Sequence, residues 1–210
     1  TEIIGENLVD NFLWTPNAKL YQYLPNKSGE GILTLTTYNG EVKIGDDRTA
    51  KLTLLANEEE VKAEIIEKRA FDTNEITKSL TGDDSILVIY KSTPTVEMIF
   101  KTKEYSTATK LVINGLELPL HNYELLEDGK TTQYTFMTGY GETMTNNFNI
   151  EITDSRGFVT KDIIMNDFVN YIPLSATSTF KRTAPTTGEV AVNFNGIYFN
   201  NSFGEEENEL

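Results

Sequence analysis

Apolar and polar residues alternate with a period of two along much of the chain. Leu33 and Leu35 fall on one side of a predicted strand over residues 32–38, and Thr34 and Thr36 fall on the other. Successive side chains of a strand point to opposite faces, so this pattern is typical of half-buried strands. Similar segments recur about every ten residues, at 42–44, 51–56, 86–90, 96–101, 111–113, 134–137, 148–153 and 158–165. The pattern predicts an all-β fold made of antiparallel β-sandwiches.

Turn residues separate these segments. Asn39-Gly40 and Asn114-Gly115 are hairpin signals, because both positions tolerate the positive φ of a two-residue turn. Asp154 and Gly157 predict another turn, in which the carboxylate accepts backbone N–H bonds and the glycine supplies positive φ. The continuous apolar run 86–90 predicts a central strand.

One short helix is predicted near residues 17–24. Thr15 can cap it, Pro16 suits its first turn, and Pro25 would end it. The apolar residues between the two prolines recur at three- and four-residue spacing, which favours a helical turn over a strand.

Two short segments of distinct composition divide the chain into three predicted β domains. Residues 57–62 are charged, and residues 171–174 include a proline that a central strand would not tolerate. The predicted domains are 1–60, which is partial or small, 61–172, which is a complete sandwich, and 173–210. Residues 182–204 predict a strand, a glycine-marked turn and an aromatic second strand, so the last domain is expected to be incomplete.

The charge balance narrows the choice of partners. The 210 residues include 18 Lys and Arg against 32 Asp and Glu, giving a net charge of −14. Phosphate binding requires a basic surface, so this acidity argues against nucleic acid. Cysteine is absent, which excludes disulfides and thiolate metal sites. No run of 18 apolar residues occurs, so we predict no membrane span.

Residues that carry catalytic chemistry do not cluster in the sequence. His121 is the single histidine, so a nucleophile–histidine arrangement has little support. The acidic groups Asp46-Asp47, Asp83-Asp84 and Glu205–Glu207 lack the ligand spacing of a calcium loop. Calcium-binding acidic loops and the paired carboxylates of a glycosidase stay open as alternatives. We predict no enzyme activity, no catalytic residue, no metal ligand and no cofactor.

Five residues are candidates for contacts between modules or subunits. Tyr198, Phe199 and Phe203 lie in the last predicted hairpin, where an incomplete module would expose them to a neighbouring chain. Trp14 is predicted at a module junction or in a core. Arg156 could reach a neighbouring module from its turn, although an exposed turn charge is the simpler expectation. The many tyrosines leave saccharide stacking open as an alternative.

Three segments resemble a known family. They are Leu33-Thr-Leu-Thr-Thr-Tyr-Asn-Gly-Glu-Val-Lys-Ile-Gly45, Ile152-Thr-Asp-Ser-Arg-Gly157 and the stretch from Arg182 to Gly204, which contains Phe-Asn-Gly-Ile-Tyr-Phe-Asn-Asn-Ser-Phe-Gly. They resemble the minor structural, tail-fibre or baseplate proteins of tailed phages that infect Gram-positive bacteria. Trp14-Thr-Pro and Leu24-Pro-Asn also fit that family, and the order of the segments matches.

The resemblance implies tandem immunoglobulin-like sandwiches in a virion, within a tail fibre, baseplate or other host-contacting appendage. The implied partners are other virion tail proteins, further copies of the chain in a homo-oligomer, and host cell-wall polysaccharide. The alternative is a bacterial surface adhesin or a carbohydrate-binding module. An exposed coplanar pair of Tyr or Trp rings on one sheet face would favour that alternative.

Overall fold

The computed structural model describes residues 2–8, 10–186 and 188–204. Within these residues the protein is mostly β-structure, with a short 3-10 helix, Ala18–Tyr23, and two short α-helices, α1 (Glu58–Val61) and α2 (Glu75–Thr81). The strands are β1 (Ser28–Leu35), β2 (Tyr38–Asn39), β3 (Val42–Lys43), β4 (Arg48–Leu55), β5 (Glu64–Asp72), β6 (Ile86–Val88), β7 (Pro94–Thr102), β8 (Ala108–Ile113), β9 (Leu116–Leu118), β10 (Tyr123–Leu125), β11 (Thr132–Gly139), β12 (Asn147–Asp154), β13 (Val159–Met165), β14 (Asp167–Val169), β15 (Ser175–Arg182) and β16 (Val190–Ile197). The all-β prediction is confirmed.

Eight of these strands form two four-stranded sheets, ordered β10-β11-β7-β5 and β13-β12-β8-β9. The other strands pair two by two: β1 with β4, β2 with β3 and β15 with β16 are antiparallel, whereas β6 and β14 are parallel. The Tyr134 hydroxyl on β11 accepts a hydrogen bond of 2.8 Å from the Ala108 backbone N–H on β8. This bond links a strand of one sheet to a strand of the other.

The period-two pattern decides which side chains are buried. Val96, Met98 and Phe100 on β7 are almost fully buried, and the residues between them are partly exposed. Strand β12 repeats this alternation over Phe148, Ile150 and Ile152. Burying a side chain of this size stabilises the fold by about 1.5–3 kcal/mol. The alternation predicted for these two strands is confirmed.

The chain forms two compact units, each assembled from three separate stretches. The first unit comprises Thr1–Ile66, Ile99–Thr135 and Ile150–Lys161, and the second comprises Glu67–Met98, Phe136–Asn149 and Asp162–Leu210. The largest buried side chains of the first unit are Phe100, Leu111, Ile113, Ile150 and Ile152, and those of the second are Leu87, Val88, Val96, Met98 and Phe148. The predicted domain boundaries after residues 60 and 172 stay a prediction.

The two Asn-Gly hairpin predictions differ in outcome. Asn114-Gly115 joins β8 to β9 as a two-residue turn, with φ values of 50° and 81°. The first hairpin closes one residue later than predicted, through Gly40-Glu41, because Asn39 pairs with Val42 inside the strand. A hydrogen bond of 2.8 Å from Ile44 N–H to Thr37 O holds this register.

The remaining local predictions are confirmed in part. The helix near residues 17–24 is present as a 3-10 helix, but Asn17 caps it in place of Thr15. The charged segment 57–62 contains α1. Strand β5 and helix α2 were not predicted. The central-strand prediction for residues 86–90 is wrong, because only Ile86–Val88 is a strand and Tyr90 adopts a left-handed φ of 59°.

Candidate functional site

The second unit contains an apolar groove with a volume of about 430 Å³. Helix α2 and the adjoining segment up to Lys91 supply part of its lining, and residues 171–174 and 198–203 supply the rest. The lining residues are Asn74, Ile76, Thr77, Leu80, Val88, Lys91, Tyr171, Ile172, Leu174, Tyr198, Phe199 and Phe203. Two separate parts of the sequence therefore meet in one concave surface, which we call the apolar groove.

Aromatic rings and one valine form the buried base of the groove. Phe199 and Phe203 are buried with Val88, and their ring centroids lie 4.8 Å apart. The Tyr171 ring packs against both, at 5.7 Å from each centroid. Gly204 follows directly with φ of 65°, and a Cβ there would lie only 2.5 Å from the Thr81 backbone oxygen. The close approach of Gly204 to the end of α2 therefore requires glycine.

A buried carboxylate fixes α2, which lines part of the groove. Asp72 is almost fully buried and accepts hydrogen bonds from the hydroxyls of Thr77 and Ser92 and from the backbone N–H groups of Asn74 and Thr93. These four donors compensate the loss of water around the carboxylate. They also connect the first turn of α2 to the segment that follows β6, so hydrogen bonds fix the position of this part of the lining.

The amide of Asn74 ties the N-terminus of α2 to Lys91. Its oxygen accepts the Ile76 N–H at 3.0 Å, which caps the helix, and its nitrogen donates to the Lys91 backbone oxygen at 2.9 Å. Ile76 and Leu80, four residues apart on α2, remain exposed beside the buried base. The groove is thus open to solvent and apolar, with Lys91 as the one charged residue among its described lining residues.

Strands β15 and β16 form a two-stranded hairpin, which we call the C-terminal ribbon. The register pairs Phe180 with Val192, Ser178 with Phe194 and Arg182 with Val190, so these residues share one face. The opposite face carries the pairs Thr177–Asn195, Thr179–Asn193 and Lys181–Ala191. One face is therefore mainly apolar and the other mainly polar, yet Phe180 and Phe194 on the apolar face are 69% and 76% exposed.

This ribbon differs from the hairpin predicted within residues 182–204. Residues 190–197 do form a strand, but its partner is β15, which ends at Arg182. Gly196 lies inside β16 opposite Ala176 rather than in a turn. The aromatic residues that follow the strand, Phe199 and Phe203, leave the ribbon and join the core of the second unit. The predicted order of strand, glycine-marked turn and aromatic second strand within residues 182–204 is therefore wrong.

Arg156 lies in the first unit and is buried, so the expectation of an exposed turn charge is wrong. Its guanidinium donates to four backbone oxygens, those of Leu24 at 3.0 Å, Tyr21 at 3.1 Å, Lys103 at 3.3 Å and Glu104. Burial lowers the pKa of Arg156, while nearby acidic groups oppose that shift. A guanidinium has enough donors to connect three chain segments, and here it joins residues 21–24, 103–104 and 156.

The turn that carries Arg156 has the predicted geometry. The Asp154 carboxylate accepts the N–H groups of Arg156 and Phe158 at 3.0 and 2.9 Å, and Gly157 has φ of 85°. Thus the turn residues were predicted correctly, but the inward direction of the arginine side chain was not.

The structure brings together three of the five predicted contact residues. Tyr198, Phe199 and Phe203 line the groove of the second unit, with Tyr198 partly exposed and the two phenylalanines buried. Arg156 and the partly buried Trp14 belong to the first unit. Whether these five make contacts between modules or subunits stays a prediction.

Sequence reasoning did not identify α2 as part of the groove. Asn74 before Glu75, and Gly82 with φ of 70° after Thr81, are the ordinary signals for the start and end of a helix. Read together with the four-residue spacing of Ile76 and Leu80, they could have predicted this exposed apolar pair.

We also searched the described residues for metal sites, membrane-spanning helices and stacked aromatic rings. No group of three or more His, Asp or Glu that could hold a metal occurs among residues 2–8, 10–186 and 188–204, and His121 is exposed. Within the same ranges no helix is both long and apolar enough to cross a bilayer. The parallel-stacked ring pair, Phe100 with Tyr134 at 4.8 Å, lies in the core. The saccharide-stacking alternative stays a prediction.

Comparison of the chain with protein-family models, with curated proteins and with solved structures finds no match in any of the three.

Proposed function

We propose that this protein is a structural component of a phage virion, in a tail fibre, baseplate or other host-contacting appendage. In this role the β-sandwich modules act as rigid spacers, and their exposed apolar faces bind neighbouring chains. In this account the sandwiches are tandem immunoglobulin-like modules, as the resemblance of Arg182–Gly204 and two other segments implies.

The observation that carries this proposal is the exposed apolar face of the C-terminal ribbon. An isolated two-stranded hairpin is marginally stable in water, and a sheet normally buries its apolar face. Phe180, Val192 and Phe194 lie on one face and are all exposed. Exposed apolar patches are typical of protein–protein contact surfaces. A tail protein that works in an assembly would cover this face with a neighbouring subunit.

The hairpin of β1 and β4 supplies a second, independent support. Its register places Leu33 and Leu35 on the same face as Leu52 and Leu54. Leu52 and Leu54 are partly buried, whereas Leu33 and Leu35 near the far end are exposed. In chain order, one such hairpin precedes the strands of the two four-stranded sheets and another follows them, so the chain offers two hairpins for binding neighbours.

The proposed partners are other tail proteins, further copies of this chain and host cell-wall polysaccharide. Copies arranged around a symmetry axis would present several weak host contacts at once, and linked weak contacts bind more tightly than single ones. The net charge of −14 would keep free subunits apart in solution before they assemble.

Negative-stain microscopy of tailed phage particles that carry the gene tests this proposal. The particles are labelled with an antibody against residues 61–172. We expect label on the tail fibres or at the tail tip. Label on the head, or on no part of the particle, would overturn the proposal.

A further inference from the structure

We propose that the apolar groove of the second unit is a binding site for a small amphiphile with one anionic head group and an apolar tail. The groove is distinct from the apolar face of the C-terminal ribbon. The proposal therefore does not depend on the function proposed above.

The walls of the groove require a ligand whose body is apolar. A volume of about 430 Å³ lies within the range of small-molecule sites. The polar groups of the α2 wall are already bonded within the protein, since the Asn74 amide bonds Ile76 and Lys91, and the Thr77 hydroxyl bonds Asp72. A polar ligand body would lose its hydrogen bonds to water without gaining new ones here.

The charge at the groove selects an anionic head group. Lys91 is the charged lining residue, and it takes part in none of the ion pairs between described residues. Its backbone is held by the Asn74 amide, and Tyr90 before it has a left-handed φ of 59°. A non-glycine residue in this conformation is under strain, and such strain concentrates at binding sites. A carboxylate near Lys91 would form a charge-assisted hydrogen bond.

Because the whole chain is acidic, only a local contact with Lys91 can favour an anionic head group over a neutral one. A chain with a net charge of −14 repels anions at long range. Preference for an anionic head group over a neutral one must therefore come from a short-range contact, and within the groove Lys91 provides it. Removing the Lys91 charge should abolish the preference while the apolar walls still bind the tail.

The test compares three probes with the same eight-carbon tail: octanoate, octan-1-ol and octylammonium. Binding is followed by NMR of isotope-labelled Ile and Leu methyl groups in the full chain. We expect octanoate to shift the methyl signals of Ile76, Leu80 and Leu174, and to bind about threefold to fivefold more tightly than octanol, as for an exposed ion pair. Octylammonium should bind most weakly. Each methylene added to the carboxylate series should tighten binding threefold to fourfold, or about 0.8 kcal/mol.

Two substitutions separate the head-group contact from the tail contact. Lys91→Gln should remove the preference for octanoate over octanol and leave octanol binding unchanged. Ile76→Asp places a negative charge at the groove and should weaken octanoate while strengthening octylammonium. Ile32→Asp is the matched control in the first unit, because Ile32 and Ile76 are both 72% exposed.

Three results would overturn the proposal. The first is the absence of shifts at the groove methyl groups at millimolar octanoate. The second is equal affinity of the unmodified protein for octanoate and octanol. The third is an Ile32→Asp variant that weakens octanoate as much as Ile76→Asp does, because binding would then reflect net charge rather than the groove.

Discussion

At the scale of single residues, two buried charges hold irregular segments in place. Asp72 receives four hydrogen bonds in the second unit, and Arg156 donates to four backbone oxygens in the first. Neither residue has a partner of opposite charge in these bonds. A buried charge is tolerated when hydrogen bonds replace the water it loses, so removing either side chain leaves several groups unpaired.

Asp72→Ala should lower the free energy of unfolding by about 3 kcal/mol, because Thr77, Ser92 and two backbone N–H groups lose their acceptor. Urea denaturation measures the change. Asp46→Ala is the control, since Asp46 is exposed and its removal should change stability by less than about 0.5 kcal/mol. Equal stability of the two variants would contradict the structural role of Asp72.

Arg156→Lys should lower the free energy of unfolding by about 2 kcal/mol although the charge is kept. A lysine ammonium cannot reproduce the forked geometry in which one guanidinium reaches Leu24, Lys103 and two further carbonyl groups. Thermal unfolding of the variant measures this cost. A melting temperature equal to that of the unmodified protein would show that charge alone holds the segment.

The ion pair of Asp162 with Lys68 should make the stability of the fold depend on pH in the acid range. The hydrogen bond from Lys68 lowers the pKa of Asp162 below its ordinary value of 3.8. A carboxylate with a lowered pKa in the folded state stabilises the protein above its unfolded pKa, and this contribution is lost as pH falls through the folded pKa. Asp162→Asn should therefore be less stable at pH 7, with a difference that shrinks below about pH 4. A difference independent of pH would refute this role.

At the scale of elements, the segment that follows β16 is held to α2 by close backbone contact. Gly204→Ala should destabilise the protein by about 2 kcal/mol, because φ is 65° and the new Cβ would meet the Thr81 oxygen at 2.5 Å. Gly141→Ala is the control, since a Cβ there meets nothing within 4 Å. Chemical denaturation compares the two variants, and equal effects would contradict the proposed contact.

The elements differ in how far the sequence predicts them. The alternation of β7 and β12 and the Asn114-Gly115 turn follow from local rules, and all three were predicted. Helix α2 was missed because its sequence, Glu-Ile-Thr-Lys-Ser-Leu-Thr, has weak intrinsic helix preference. Bonds to Asp72, which lies before the helix, stabilise it instead. A propensity scale does not include such local side-chain bonds, which join Asp72 to residues two and five positions later.

The groove and the ribbon required information that no local pattern contains. The pairing of β15 with β16 places Phe180 beside Val192, but β15 itself has one large apolar residue and little alternation. The groove combines residues 74–91 with residues 171–203, which are far apart in sequence. The sequence predicted Tyr198, Phe199 and Phe203 as contact residues, yet it could not predict that they would line one groove with α2.

At the scale of the whole molecule, we propose that a neighbouring chain covers the apolar face of the C-terminal ribbon in the assembled particle. On this face Phe180 and Phe194 are both mostly exposed, although they lie on paired strands. The opposite face, with Asn193 and Asn195, is suited to water. Assembly should therefore protect one face and leave the other accessible.

Maleimide labelling of single-cysteine variants measures this protection directly, since the chain contains no cysteine of its own. Val192→Cys reports the apolar face, and Asn193→Cys, the adjacent residue on the polar face, is the matched control. We predict that both label readily in the isolated chain and that in intact particles Val192→Cys is protected while Asn193→Cys still labels. Equal labelling of both positions in the particle, or absence of the chain from the particle, would contradict the account.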